Sequence, residues 1–104
     1  MNTNGMLMDG MLKKQGGWLG LWKLKYFMLT ETELLYFDKN KVYSFIIKSS
    51  TQLIHNKVTL VFKIVNENDK LCLCAENYDE LDKWINALNN AISTQYVKQE
   101  RDKK

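Results

Sequence analysis

The sequence has little of several residue types on which common functional classes depend. Its 104 residues include one histidine, His55, and one arginine, Arg101. It contains no phosphate-loop motif and no Ser/His/Asp or Cys/His set, so we predict a protein that is not an enzyme. No apolar run approaches the roughly 20 residues that a membrane-spanning helix needs. A chain that crosses a bilayer is not expected, although it can still lie against one.

Cysteine is also scarce: only Cys72 and Cys74 occur, two positions apart. On a strand their Cα atoms would be separated by roughly 6.5–7 Å, which is longer than a disulfide prefers. We expect reduced thiols, and one histidine leaves too few ligands for a structural zinc. The first ten residues lack the apolar segment of a signal peptide. These features predict a cytoplasmic protein without a metal or another cofactor.

Positive charge is concentrated in the N-terminal half of the chain. The formal net charge is only +3, and acidic residues cluster between positions 67 and 82. The stretch from residue 13 to residue 48 contains seven lysines: Lys13, Lys14, Lys23, Lys25, Lys39, Lys41 and Lys48. The small net charge and the lack of a stacking platform beyond Trp18 argue against nucleic acid as a partner. The local positive field favours another anionic partner.

The apolar pattern predicts a mainly β protein with one α-helix. Strand-like segments occur at 11–14, 22–29, 34–37, 43–47, 51–55, 58–65 and 70–75. From Asn77 onward the apolar spacing becomes that of an amphipathic helix, and Asn77 followed by Glu80 is typical of a helix start. Short connections imply an antiparallel sheet, with the helix covering an open side of a sandwich or barrel. We expect a flexible lead-in over 1–7, one domain over 8–96 and a frayed polar tail over 97–104.

Strand alternation places three lysines on one face. Lys23 and Lys25 share a face with the apolar Phe27, and Lys14 has the same relation to Leu12 on the preceding strand. If the two strands form a hairpin, three ammonium groups converge at one rim of the barrel. Such groups repel each other unless an anion joins them, and lysine binds phosphate well as a point charge. The alternative is a solvated basic edge that deters strand pairing.

The loop at 15–21 carries apolar residues beside these lysines. Loop tips are usually polar, whereas this loop contains Trp18, Leu19 and Leu21. A tryptophan ring and its N–H are both accommodated at a membrane interface. Burial of Trp18 and Leu19 in lipid would contribute about 2–4 kcal/mol. We therefore predict that these three residues insert into the bilayer; the alternative is that Trp18 folds back onto the domain.

An ordered set of motifs resembles the pleckstrin homology domain family over about residues 8–93. The N-terminal half carries Gly10-x-Leu12-x-Lys14, Gly16-Gly17, Trp22-Lys23-x-Lys25-Tyr26-Phe27-x-Leu29 and Leu34-x-Tyr36-Phe37. The C-terminal half carries Phe62-x-Ile64, Leu73-x-Ala75 and a helix that contains Trp84. The resemblance implies a seven-stranded antiparallel, partly open barrel capped by the C-terminal helix, with Trp84 packed inside.

The resemblance also implies a binding site for a lipid headgroup. Three lysines match the family's phosphoinositide motif, Tyr36 matches a position that often hydrogen-bonds a headgroup phosphate, and two further lysines follow in the next turn. The expected headgroup-binding residues are Lys14, Lys23, Lys25, Tyr36, Lys39 and Lys41. For Lys39 and Lys41 the alternative is a solvated turn.

Two departures from the family pattern bear on headgroup selectivity. Lys25 stands where the family usually has arginine, and Val42 and Tyr43 stand where strong inositol binders often place another arginine. Lysine lacks the bidentate fork that discriminates headgroup geometry, so phosphatidic acid is an alternative to a phosphoinositide. The heavy use of lysine and asparagine is similar to that of protist proteins, and implies a likeness to their acylated pleckstrin homology proteins, which sense phosphatidic acid.

The sequence thus predicts a membrane-docking module on the cytoplasmic face of a membrane, where its partner is anionic phospholipid. The alternative is a protein-interaction module that binds lipid weakly or not at all. Its partner would use the strand edge around residues 51–57 or the exposed surface of the helix.

Overall fold

A computed structural model describes residues 5–56 and 58–102 of the chain. They form β1 (Met6–Gly16), β2 (Leu21–Thr30), β3 (Glu33–Asp38), β4 (Lys41–Ile46), β5 (Gln52–His55), β6 (Val61–Val65), β7 (Lys70–Cys74) and α1 (Tyr78–Asp102). The strands pair antiparallel in one sheet with the order β4-β3-β2-β1-β7-β6-β5. The predicted class, an open seven-stranded antiparallel sheet with a C-terminal helix, is confirmed.

One face of the curved sheet and one stripe of α1 form the core. Alternate strand residues point to the same face, so each strand contributes every second side chain to it. Phe27 and Leu29 of β2 are fully buried, and so is Trp84 of α1, as the sequence predicts. The helix adds the buried residues Leu81, Trp84, Ile85, Leu88 and Ala91. The helix stripe therefore covers the apolar face of the sheet.

The hairpin of β1 and β2 is longer than the sequence predicts. Pairing between the two strands runs from Met6↔Thr30 to Gly16↔Leu21. The strand β1 therefore starts inside the predicted lead-in 1–7, and the connecting loop shortens to residues 17–20. Residues 1–4 of that lead-in and residues 103–104 of the predicted tail lie outside the described part of the chain.

The helix begins where the sequence predicts and extends further than expected. The side-chain Oδ1 of Asn77 accepts a hydrogen bond from the backbone N–H of Glu80 at 2.9 Å, which satisfies one of the donors left open at a helix start. The helix continues to Asp102 instead of fraying after residue 96. Within the described residues, no helix has both the length and the apolar character needed to cross a bilayer.

Contacts from distant loops account for the extra helical turns. Gln95 Nε2 donates to the backbone oxygen of Glu31 at 2.6 Å, and the Glu31 carboxylate pairs with Lys98 Nζ at 3.3 Å. The hydroxyl of Ser49 donates to Gln99 Oε1. These partners lie about 50 and more positions away in the sequence, so the polar composition of the segment gives no indication of them.

Candidate functional site

The register of β1 and β2 brings three lysines together beyond the end of the core. Lys14 lies opposite Lys23, and Lys25 lies opposite the buried Leu12. All three side chains share the face that carries Phe27 deeper in the molecule. The predicted placement at one rim of the barrel is therefore the observed one, while their role as ligand-binding groups stays a prediction.

A pocket of about 290 Å³ opens at this rim. Its lining combines basic, glycine and apolar residues from the β1–β2 hairpin with one acidic residue from β3: Lys14, Gly16, Gly17, Trp18, Leu19, Leu21, Lys23, Lys25 and Asp38. Leu21 is the first residue of β2 rather than a loop residue, and it shares the face of Lys23. The pocket thus joins three of the six predicted headgroup residues, Lys14, Lys23 and Lys25, to the predicted membrane-inserting residues.

Lys14 is held over an aromatic stack. Its Nζ lies 5.4 Å from the centre of the Tyr36 ring, which is within the range of a cation–π contact. Tyr36 in turn stacks on Tyr43 with ring centres 5.1 Å apart. Burial raises the pKa of the Tyr36 hydroxyl above its usual value, with smaller contributions from nearby acidic groups. The hydroxyl therefore stays protonated at neutral pH and can donate a hydrogen bond to a phosphate oxygen.

Lys25 is paired with an acidic residue that the sequence analysis missed. Its Nζ donates to Oδ1 of Asp38 at 2.8 Å. This hydrogen bond holds the pKa of the Asp38 carboxyl below its usual range, although partial desolvation opposes it. Alternation on β3 offered a signal, since Asp38 has the same parity as the core residue Leu34 and as Tyr36. The pairing itself depends on the register of β2 with β3.

Lys39 and Lys41 lie beside the pocket without lining it. Asp38 and Lys41 face each other across β3 and β4, and the turn between them holds Lys39 at a φ of 56°. This left-handed conformation is uncommon for a residue with a Cβ. The charge of Lys39 contributes to the lowered pKa of Asp38. Among the predicted headgroup residues, Lys39, Lys41 and Tyr36 therefore border the lysine cluster and do not form the pocket wall.

The loop at the end of the hairpin is a tight turn that projects its apolar residues. The N–H of Gly20 donates to the oxygen of Gly17 at 3.1 Å, and Gln15 Nε2 donates to the oxygen of Gly20 at 2.9 Å. Trp18 at the turn is 93% exposed and Leu19 is 60% exposed. In this structure Trp18 does not fold back onto the domain.

Replacing Gly17 by alanine is expected to lower the free energy of unfolding by about 1 kcal/mol. Gly17 has a φ of 74°, and an added Cβ would meet no atom within 4 Å, so only the backbone conformation is unfavourable. Urea unfolding measures the effect. Gly5→Ala is the matched control, because its Cβ also enters open space and its φ is not in the left-handed region. Equal stability of both variants would contradict the turn geometry.

The two cysteines lie on the opposite side of β7 from the core. Cys72 pairs with Gln15 and Cys74 with Lys13 across the β1–β7 ladder, and both thiols are free and partly buried. Across residues 5–56 and 58–102, no group of three or more His, Cys, Asp or Glu residues is arranged to hold a metal ion. The chemistry of the rim is therefore that of amines, one carboxylate and a phenol.

The chain is similar in sequence to known proteins. The family model described as PH domain matches residues 6–93. Diacylglycerol kinase eta from Mus musculus is 30% identical over an alignment 102 positions long that covers 89% of this chain. The same kinase from Mesocricetus auratus is 29% identical. The chain spans only 8% of the length of these curated relatives.

Solved structures share the fold. The C-terminal PH domain of pleckstrin in complex with D-myo-Ins(1,2,3,5,6)P5 has a TM-score of 0.76 and 23% identity, covering 88% of this chain and 99% of that chain. The Slm1 PH domain in complex with D-myo-inositol 4-phosphate has a TM-score of 0.68 and 16% identity, covering 84% of this chain and 95% of that chain. The family match extends over most of the residues and includes the β1–β2 hairpin and the first part of α1. The chain belongs to the PH-domain family.

Proposed function

We propose that the chain is a membrane-docking module that binds an anionic phospholipid headgroup at the β1–β2 rim. The observation that carries the proposal is a single pocket lined both by Lys14, Lys23 and Lys25 and by the exposed turn residues Trp18 and Leu19. Cationic groups that adjoin projecting apolar groups match the layering of a bilayer surface, where headgroup phosphates lie above acyl chains. Neither feature alone distinguishes a membrane from a small soluble anion.

Electrostatics supports phosphate as the chemical group that is bound. Lys23 has no ion-pair partner within residues 5–56 and 58–102, and it faces Lys14 across the hairpin. A phosphate between the two ammonium groups relieves their repulsion and accepts hydrogen bonds from both. Tyr36, whose ring lies beneath Lys14 Nζ, carries a protonated hydroxyl that is a further donor.

The class of headgroup is a phosphoinositide or a simpler phosphomonoester such as phosphatidic acid. Structural relatives of the chain were solved with an inositol pentakisphosphate and with an inositol monophosphate, which supports the first. The pocket offers lysine amines and no guanidinium, which provides little geometric discrimination between the two. The predicted likeness to acylated protist members of the family stays a prediction.

The proposed activity is binding without catalysis. The pocket lining holds no hydroxyl, thiol or imidazole, and its one carboxylate is paired with Lys25. A nucleophile activated by an adjacent base, which covalent catalysis requires, has no counterpart in that lining. We accordingly propose a peripheral membrane protein on the cytoplasmic face of a membrane, with anionic lipid rather than nucleic acid as its partner.

Vesicle binding at varied salt tests the proposed function. Phosphatidylcholine vesicles that contain either phosphatidic acid, a phosphoinositide or no anionic lipid should bind the chain only when an anionic lipid is present. Binding should weaken several-fold as the salt concentration rises from about 0.05 to 0.5 M, because exposed charges are screened. Equal binding to vesicles of pure phosphatidylcholine would overturn the proposal, as would no binding to any vesicle.

The second candidate function is a protein-interaction module. It is favoured by the position of β5 (Gln52–His55) at one edge of the sheet, where an extended peptide can add a strand. Ile54 on this strand is exposed, and Lys57 beyond it lies outside the described residues. Chemical shift changes in amides of β5 on addition of a partner peptide, with none on addition of lipid, would favour this function.

A further inference from the structure

The headgroup pocket already contains an anion, and that anion belongs to the chain itself. Asp38 lines the pocket and accepts a hydrogen bond from Lys25 at 2.8 Å. The side chain of Lys25 is only 18% exposed, whereas that of Asp38 is 39% exposed. Lys23 and Lys39 also act on the Asp38 carboxyl through their charges. In the ligand-free molecule, the Asp38 carboxylate therefore supplies part of the negative charge that a bound phosphate would supply.

We propose that Asp38 sets a charge threshold that a headgroup must exceed in order to recruit Lys25. A dianionic phosphomonoester draws Lys25 away from Asp38, whereas a singly charged phosphodiester binds only Lys14 and Lys23. This inference rests on the proposed function, because it assumes that a phosphate enters the pocket. It assigns the difference between the two classes of phosphate in their recruitment of Lys25 to one side chain from β3.

The charge of the incoming anion decides whether Lys25 gains attraction by leaving Asp38. A phosphodiester carries one negative charge, as the Asp38 carboxylate does, so exchanging one for the other brings Lys25 no additional attraction. The exchange would also leave the carboxylate without its nearest cation beside a second anion. A phosphomonoester carries close to two negative charges at pH 7, and its attraction to Lys25 at the same distance is about twice as large. Only with the monoester does Lys25 gain attraction by leaving Asp38.

The surroundings of Asp38 make the exchange feasible. Once Lys25 turns to a ligand, the carboxylate still lies opposite Lys41 across the β3–β4 ladder and close to Lys39 in the adjoining turn. These exposed lysines, which do not line the pocket, can take up part of the released charge interaction. Lys39 and Lys41, which border the pocket without lining it, therefore also contribute to the exchange.

The test measures the affinity ratio of two lipids. Phosphatidylcholine vesicles containing phosphatidic acid, a monoester, are compared with vesicles containing phosphatidylglycerol, a diester, at pH 7.5. The wild-type chain should prefer phosphatidic acid. Asp38→Asn should raise the affinity for both lipids by about three- to tenfold, because the diester then gains Lys25 and the monoester no longer has to displace a carboxylate from it. Asp82→Asn, an exposed position on α1 outside the pocket, carries the same charge change and should leave both affinities near those of the wild type.

A second variant keeps the net charge constant. In the double variant Lys25→Gln with Asp38→Asn, affinity for phosphatidylglycerol should stay near that of the wild type, while affinity for phosphatidic acid falls and the ratio falls with it. A structural role for the ion pair would change stability without moving the ratio. No gain for phosphatidylglycerol in Asp38→Asn, or an unchanged ratio in the double variant, would overturn the proposal. Absence of vesicle binding by every variant would overturn the proposed function as well.

The pH dependence gives an independent readout. A phosphomonoester takes up its second proton near pH 6, whereas the lowered pKa of Asp38 keeps its carboxyl ionised throughout the range from pH 8 to pH 5. The preference of the wild type for phosphatidic acid should therefore decline several-fold as the pH falls from 7.5 to 5. The double variant Lys25→Gln with Asp38→Asn should show a smaller decline, because Lys25 then adds nothing to the attraction for the dianion. A preference that does not change with pH would contradict the threshold.

Discussion

Changing Lys14, Lys23 and Lys25 together to glutamate is expected to weaken binding to anionic vesicles by more than about 100-fold. Each lysine near an anionic surface contributes about 1 kcal/mol, and reversal replaces that attraction with repulsion. All three side chains line one pocket, so the changes act on one site. Vesicle sedimentation or surface plasmon resonance at low salt measures the effect.

The control for this variant must separate a local site from overall charge. Lys48, Lys63 and Lys70 are exposed and lie outside the pocket. Changing these three to glutamate alters the net charge by the same amount, so both triple variants have equal charge. The control should lose far less affinity. Similar losses in the two variants would indicate that the whole positive field, and not the β1–β2 rim, attracts the membrane. Circular dichroism checks that both remain folded.

Replacing Trp18 by alanine is expected to weaken vesicle binding by about 10- to 100-fold. Burial of a large apolar side chain contributes about 1.5–3 kcal/mol, and Trp18 is 93% exposed in the free molecule, so almost all of that burial remains available. The folded state should lose little stability for the same reason. The effect should persist at high salt, because apolar burial is not screened as exposed charges are.

The matched control for Trp18 is another exposed apolar loop residue. Val58 is 81% exposed and lies away from the pocket, so Val58→Ala should leave vesicle affinity unchanged. Quenching of tryptophan fluorescence by brominated acyl chains adds a positional measurement. The extent of quenching should fall strongly in Trp18→Phe. The two remaining tryptophans are then not in contact with the acyl chains, because Trp84 is buried and Trp22 faces away from the pocket. Full quenching in that variant would contradict insertion of the turn.

Much of the fold follows from local patterns that need no tertiary information. The alternation of β2 assigns Phe27 to the core, because residues two apart on a strand point the same way. The change of spacing at Asn77 marks the helix start, because only a helix gives apolar spacings of three and four. The extension of α1 to Asp102 was not predictable, since Glu31 and Ser49 hold it from distant parts of the chain.

In the candidate site, too, some features follow from single segments and others depend on how the strands pair. The face shared by Lys23 and Lys25 follows from parity within one strand, and the projecting character of Trp18 follows from the glycines that flank it. The partner of Lys25 does not follow, because a pairing between β2 and β3 depends on their register. A shift by one residue would turn Asp38 to the opposite face. The exclusion of Lys39 and Lys41 from the pocket wall depends in the same way on the turn after β3.

The sequence by itself determined the class of protein, the face on which Lys14, Lys23 and Lys25 lie, and the apolar character of the adjoining loop. These are properties of single segments, governed by the two-residue period of strands and the 3.6-residue period of helices. Only the tertiary structure decided which lysine already has a counter-ion. That depends on the distance between Lys25 and Asp38, which lie thirteen positions apart and meet through the β2–β3 ladder.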